Sequence, residues 1–231
     1  MKVDIGIIGA LSEEVTGLIA SLADAGSERV GGLEFYTGIL EGKRVAIARC
    51  GVGKVFAAIC TEAMIIKYSP DLIINTGVGG ALSESLKTAD LVIAESLVQH
   101  DMDTSPIGDP KGLISGINKI YFNSDARAVE IASRAAKEYE YPVLVGTVAT
   151  GDKFIADRAD KERIVSDFSA VACEMEGGAV AHTAYVNDTP FVVIRAISDS
   201  ADGDATMDYL EFLPVAAKKS TAITLALVRE Y

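Results

Sequence analysis

The chain has 231 residues, enough to bury a sizeable core, and the expectation is a single α/β domain over residues 1–231. Its formal net charge of −12 argues against nucleic-acid backbones and anionic membranes as partners, and leaves room for a small neutral or zwitterionic ligand. Three cysteines without a C-x-x-C pair signal neither a disulfide framework nor a zinc ribbon, and two histidines, His100 and His182, are too few for a multi-histidine metal site.

The first apolar run, Val3–Ile8, reads as a buried strand. Helical spacing follows over Ser12–Ala23, with Ser12 as a plausible N-cap and Glu13 and Glu14 complementing the helix dipole. Leu33–Leu40 and Lys43–Cys50 read as strands, and Gly53–Lys67 as a helix. Leu72–Thr76 is a continuous apolar run, the pattern of a strand covered on both faces. It leads into Asn75-Thr-Gly-Val-Gly-Gly80, where glycines let a backbone approach a ligand closely. No G-K-[ST] follows it, and Gly51-Val-Gly-Lys-Val-Phe56 ends on Phe56 where G-x-G-x-x-G needs glycine. Either glycine cluster alone also suits a tight turn.

Leu91–Ser96 is the next strand. The stretch from His100 to Asn118 is non-periodic and holds Pro106, Gly108, Pro110, Gly112 and Gly116. A loop that long in a compact domain is usually functional or mobile. His100 reads as a loop histidine with a structural hydrogen bond, and His182 as a packed helix residue. Helices over Ser124–Glu138, Lys161–Phe168, Glu176–Val186 and Tyr209–Val228 alternate with strands over Val143–Thr147, Ala170–Cys173 and Phe191–Ile197. Such alternation implies a three-layer α/β sandwich whose mixed, largely parallel sheet carries helices on both faces. No apolar run reaches the ~18 residues of a membrane span. The first residues lack the regions of a secretory signal, so a reducing cytoplasm is the expected setting.

Three strands end in carboxylates: Val3–Ala10 before Glu13 and Glu14, Ala170–Cys173 before Glu174 and Glu176, and Phe191–Ile197 before Asp199. Ligands in open α/β sheets bind beyond the carboxyl ends of strands, so these ends predict one acidic pocket built from distant segments. Desolvation and like-charge repulsion there would raise the pKa of Asp199 above the ordinary aspartate value of about 3.9 and let it deliver a proton. Each carboxylate taken singly also fits a helix start or a turn. The run Asp199, Asp202, Asp204, Asp208 has metal-binding composition but lacks the spacing of a calcium loop.

Five motifs stand in register: Gly6-Ile-Ile-Gly-Ala-Leu-Ser-Glu-Glu-Val15, Ile74-Asn-Thr-Gly-Val-Gly-Gly80, Thr150-Gly-Asp-Lys-Phe-Ile155, Glu174-Met-Glu176 and Arg195-Ala-Ile-Ser-Asp199. Together they resemble the bacterial 5′-methylthioadenosine/S-adenosylhomocysteine nucleosidases, of the nucleoside phosphorylase-like fold, from residue 1 to about residue 228. The resemblance implies that Asp199 protonates adenine N7, Glu14 holds the attacking water and Glu176 grips the ribose hydroxyls. It further implies Met175 beneath the sugar, Phe154 stacked on the purine and the Ile155 backbone at its edge. Arg195 and Ser198 would orient the acidic residues, and Tyr209 would border the 5′-alkylthio pocket. Val78 and Gly79 stand where many relatives carry Ser and Ala, which removes a hydroxyl. Ile107 stands where relatives carry an aromatic residue that reaches the partner subunit's 5′-pocket.

The resulting expectation is a cofactor-free, metal-free cytoplasmic homodimer that uses water to release adenine from a small adenine nucleoside. The alternatives are a phosphate-dependent phosphorylase, a hydrolase for another purine nucleoside, and a nucleoside-binding module without turnover.

Overall fold

The structure, a computed structural model, describes residues 2–201 and 205–231, with the backbone alone at 205–208. Ten strands join one mixed sheet: β1 (Ile5–Gly9), β2 (Ala23–Val30), β3 (Leu33–Leu40), β4 (Lys43–Arg49), β5 (Leu72–Ala81), β6 (Leu91–Gln99), β7 (Tyr121–Asn123), β8 (Val143–Thr150), β9 (Ala172–Glu174) and β10 (Phe191–Asp199). The helices are α1 (Ser12–Ala20), α2 (Lys54–Tyr68), α3 (Ala126–Glu138), α4 (Arg158–Phe168), α5 (Gly177–Val186) and α6 (Ala205–Glu230).

Strands β5, β10, β6, β8 and β9 pair in a closed ring, because β9 returns to β5 antiparallel at Gly80–Cys173 and Ala81–Ala172. Beyond β5 the sheet continues through β1, β4, β3 and β2. Apolar side chains of both faces are buried. Ile7, Val15, Leu18, Ile74 and Ile194 belong to the core under α1, α3 and α6. Ile8, Ala57, Met64, Ile73 and Val180 belong to the opposite core under α2 and α5. Burial on both faces explains why β1, β5 and β10 read as unbroken apolar runs rather than alternating ones.

Strands β5, β6, β8 and β10 run beyond the expected ends of their apolar segments. The added residues include Gln99, Thr150, Ser198 and Asp199, which are polar yet buried. A hydropathy reading stops where such residues begin, whereas the backbone ladder continues. Strand β2 is exposed along nearly its whole length, so the sequence offers no apolar alternation to reveal it. The first helix stops at Ala20, three residues short of the expected Ala23, which belongs to β2. Ser12 is its first helical residue and Leu11 holds the N-cap position, so the expected Ser12 cap is replaced. The Glu14 carboxylate takes over, accepting the N–H groups of Ala10 and Leu11.

Segment 100–118 is folded back on itself by turns at Ser105–Ile107 and Ser115–Ile117 and by hydrogen bonds of Ile114 with Lys119. Thr104 donates to Asp109, and Lys111 pairs with Asp167 of α4.

Candidate active site

The carboxyl ends of β1, β5, β9 and β10 surround a cavity of about 200 Å³. Glu14, Glu174, Glu176 and Asp199 all line it, so the acidic strand ends do converge. Val78, Gly79, Phe154, Ile155, Met175, Ser198 and Tyr209 complete the set of expected residues on its wall. Arg195 stands behind the wall, and Ile107, 82% exposed on the 105–107 turn, lies away from this chain's cavity. Asp202 and Asp204 of the acidic run lie outside the described residues.

Glu14 is locked by three backbone N–H groups: Ala10 at 2.7 Å and Leu11 at 2.9 Å to Oε2, and Val78 at 3.1 Å to Oε1. Burial nonetheless outweighs these bonds and the charge of Arg195, and raises its pKa above the ordinary glutamate value. Gly77 is required beside it, since a Cβ there would sit 2.4 Å from Glu14 Oε1.

Glu174, first read as a possible helix-start residue, is the anchor of the wall. Its Oε2 accepts from Arg195 Nη2 at 2.6 Å, Gly177 N at 2.6 Å and Glu176 N at 2.9 Å. Thr150 Oγ1 donates to its Oε1 and accepts Gly178 N at 2.6 Å. Arg195 also donates to the backbone oxygens of Asn75 and Ile194 and to Asn75 Oδ1. Thus Arg195 orients Glu174 directly and the other carboxylates only through it. Burial alone would raise the pKa of Glu174, but Arg195, Thr150 and the backbone donors hold it below the usual value.

Glu176 is then left without a cation of its own. Its Oε1 accepts the Gly53 N–H at 2.8 Å. Burial, followed by the charge of Glu174, pushes its pKa up to about 8. Asp199 is held differently. Ser198 Oγ donates to Oδ2 at 2.8 Å and the Ala201 N–H donates to Oδ1 at 3.0 Å. Gly80 must be glycine here, as a Cβ would come within 2.8 Å of Asp199 Oδ1.

Phe154 and Tyr209 meet edge to face, with ring centroids 5.6 Å apart at 79°. Phe154 remains 41% exposed, which leaves ring area for a planar ligand. His182 stacks on Phe122 and lies 3.4 Å from Gln99, the packed role expected of it. His100 departs from expectation: it is buried, and neither ring nitrogen has a hydrogen-bond partner among the described residues. Burial holds its pKa below the usual histidine value, and the ring packs beneath Gly151 instead.

The phosphorylase superfamily profile matches residues 4–229. A Staphylococcus aureus (strain JH9) 5′-methylthioadenosine/S-adenosylhomocysteine nucleosidase is 41% identical, with 98% of this chain and 99% of that protein covered. The chain belongs to this nucleosidase family, within the phosphorylase superfamily. The Neisseria meningitidis nucleosidase of the same name, solved in complex with methylthio-immucillin-A, superposes with a TM-score of 0.96 at 35% identity, covering 99% of each chain. A Helicobacter pylori structure described as futalosine hydrolase superposes at 0.94 with 34% identity, covering 99% of this chain and 98% of that one.

The cavity thus concentrates four buried carboxylates, and a proton on Glu176, with its pKa pushed up to about 8, would relieve part of the repulsion. This has a stability consequence. A carboxyl whose folded pKa exceeds its unfolded value binds its proton more tightly in the native state. Stability is therefore lost as pH rises from about 4.5 through about 8, by at most ~1.4 kcal/mol per pH unit. Glu176→Gln keeps the shape without the titration. Its melting temperature relative to wild type should rise between pH 5 and pH 8, measured by thermal unfolding. A difference that stays flat over that window would show that Glu176 does not carry the raised pKa.

Proposed function

We propose that this protein hydrolyses the N-glycosidic bond of 5′-methylthioadenosine and S-adenosylhomocysteine, releasing adenine with methylthioribose or S-ribosylhomocysteine. The carrying observation is the convergence of Glu14, Glu176 and Asp199 on one cavity walled by Phe154 and Met175. It suits a substrate with a planar base and a hydroxylated sugar. The work would belong to methionine salvage and to clearing the by-product of methyl transfer.

Bond cleavage builds positive charge on the ribose and negative charge on the base. Asp199 gives its proton to N7, so adenine leaves as a neutral base, and Ser198 holds that carboxyl in line. Ionised Glu14 takes a proton from water as the oxygen bonds to C1′. Glu176 binds the ribose hydroxyls with Met175 packed beneath the sugar. Phe154 stacks on the purine, the Ile155 backbone reads its edge, and Val78 and Gly79 form the floor. Tyr209 borders the 5′-substituent. Water is favoured over phosphate because the Glu14 carboxylate would repel an incoming phosphate dianion. The similarity to the futalosine hydrolase structure supports a second reading, in which a nucleoside with another 5′-substituent is the preferred substrate.

The working form is read as a cytoplasmic homodimer. Its cysteines are buried and free. Helix α2 exposes Val55 at 70%, Phe56 at 53% and Ile66 at 72%, and α5 exposes Val186 at 52%. A second copy is read as covering this face, and by resemblance Ile107 is the residue that would reach the partner's 5′-pocket.

The decisive assay follows release of the free purine base from methylthioadenosine, S-adenosylhomocysteine and futalosine with and without inorganic phosphate. Release from the first two at equal rates in both buffers, with a phosphate-free sugar product, is expected. A strict phosphate requirement, or turnover of futalosine alone, would overturn the reading.

Asp199→Asn keeps the size and the hydrogen bonding but transfers no proton, so kcat should fall roughly 10²-fold or more while substrate affinity changes far less. Near-normal kcat would return Asp199 to a structural turn.

Sedimentation at micromolar concentration should give twice the chain mass. A fully active monomer would remove the shared-site reading.

A further inference from the structure

The start of α5 is built differently from the starts of α3 and α4. In those two helices the N-cap residue's own carboxylate takes first-turn N–H groups. Asp125 accepts from Ala128 at 2.8 Å, and Asp157 accepts from Ala159 at 2.8 Å and Asp160 at 3.3 Å. Glu176 holds the N-cap position of α5 and is also acidic, yet its side chain makes no cap hydrogen bond. It turns away and accepts the Gly53 N–H at 2.8 Å on the cavity wall.

Other residues meet the first N–H groups of α5. Glu174 Oε2 takes those of Glu176 and Gly177, at 2.9 Å and 2.6 Å. Thr150 Oγ1 takes that of Gly178 at 2.6 Å, a bond that an N-cap side chain ordinarily makes. The same hydroxyl donates its proton to Glu174 Oε1. Thr150 is buried and held by two neighbouring strands, as the register partner of Gln99 on β6 and of Glu174 on β9. Its carbonyl accepts the His100 N–H at 2.9 Å. A threonine side chain is stiff about χ1, so the sheet fixes this oxygen independently of the helix. The close approach depends on glycine. A Cβ on residue 178 would fall 2.7 Å from Thr150 Oγ1 and 2.8 Å from Thr150 Cβ. Glycine is a poor helix former, and room for Thr150 gives one a reason to stand in the first turn of α5.

We infer that Thr150 is a positioning residue of the proposed hydrolysis: by capping α5 from β8 it leaves the Glu176 carboxylate to the cavity. The inference rests on the nucleosidase reading for what Glu176 does there. A buried first-turn N–H needs an acceptor, and Gly178 is buried. Without the Thr150 hydroxyl, that N–H and the positive end of the helix dipole would draw the side chain at the N-cap. In α3 and α4 the same forces hold Asp125 and Asp157. In α5 the side chain at that position is Glu176. Its carboxylate would leave the Gly53 N–H and turn from the ribose hydroxyls it is proposed to bind. With the hydroxyl in place the helix end is already satisfied, and Glu176 has no reason to fold back on it. Thr150 thus acts on the ligand only through Glu176, and touches no reacting atom.

The test joins kinetics to crystallography. Steady-state kcat and KM for methylthioadenosine are measured for wild type, Thr150→Val, Thr150→Ala and Thr150→Ser. Thr150→Val keeps the shape without the hydroxyl and should raise KM roughly tenfold or more, the range for losing a hydrogen bond to a charged group. Thr150→Ser keeps the oxygen and should stay within about threefold of wild type. A purely structural role would lower the folded fraction, which reduces kcat and leaves KM unchanged, and that result would overturn the inference. So would a serine variant as impaired as the valine one. A crystal structure of ligand-free Thr150→Val should show Glu176 accepting from the Gly178 N–H and released from Gly53. Glu176 still seated on Gly53 in that structure would overturn the inference as well. If Thr150→Val does not fold, Thr150→Ala replaces it in both measurements with the same expected results, since it sets no apolar group against the buried N–H. If wild type cleaves no nucleoside, the nucleosidase reading fails, whereas the crystal structure still decides whether Thr150 keeps Glu176 off its own helix.

Discussion

Everything at the site leans on the buried pair of Arg195 and Glu174. Their side chains are 2% and 1% exposed, and two charges so far from water persist only when nearly every donor and lone pair is engaged. The engagement is what ties the fold together. Through Asn75, Arg195 grips β5, and Asn75 Nδ2 in turn donates to the Ile8 carbonyl of β1 at 3.0 Å. Through Glu174, the same pair reaches Thr150 at the end of β8 and the first N–H groups of α5. One ion pair therefore registers the ends of β1, β5, β8, β9 and β10 against each other. Of the pair's own donors, Arg195 Nε has no hydrogen-bond partner among the described residues. A hydrophobic substitute of equal volume would fill the space and lose that registration.

The pair also decides which carboxylates can change protonation. Because Arg195 is spent on Glu174, its charge reaches Glu176 and Glu14 only partially, and burial lifts both of their pKa values. Glycosidic cleavage with water needs one group that gives a proton and another that takes one. A cavity with four fully ionised carboxylates could stabilise a cationic sugar but would have no proton to give. Here burial outweighs the charge of Arg195 at Glu14 and Glu176, whereas at Glu174 the arginine wins. The cavity thus favours a proton on Glu176, with its pKa pushed up to about 8, while Glu174 stays ionised beside Arg195.

The sequence carried the fold and the site to different depths. Strands buried on both faces announced themselves through apolar runs, and the carboxylates following β1, β9 and β10 pointed to one cavity. What stayed hidden had physical causes. Strand β2 faces solvent nearly throughout, so no hydrophobic period marks it. Polar extensions such as Ser198–Asp199 look like turn chemistry in one dimension, because their partners lie on other strands. Glu174 and Glu176 are indistinguishable as letters two positions apart. Only the contact with Arg195, 21 residues away, makes one an anchor, while the other takes the Gly53 N–H on the cavity wall. Arg195 was placed by resemblance among the orienting residues; in the structure it stands behind the wall and donates to Glu174.

A last constraint connects the cavity to the exposed face of α2. Gly53, with φ at +100°, turns its N–H onto Glu176 Oε1, a backbone conformation that favours glycine. The next N–H, of Lys54, goes to Asp152 Oδ1 at the start of the loop carrying Phe154 and Ile155. Lys54 Nζ pairs with Asp101 at 2.7 Å, and Asp101 in turn accepts the Asp152 N–H. Two consecutive peptides at the start of α2 thereby fix the Glu176 carboxylate and the loop carrying Phe154 and Ile155 at once. Helix α2 then runs outward with Val55 and Phe56 on its exposed side. A shift of that helix along its axis would move both contacts together, since no flexible side chain intervenes on the α2 side. Burying Val55 and Phe56 against another surface would stiffen the helix start. The gain would be felt at Glu176 and at the loop carrying Phe154 and Ile155, the two points that the helix start holds.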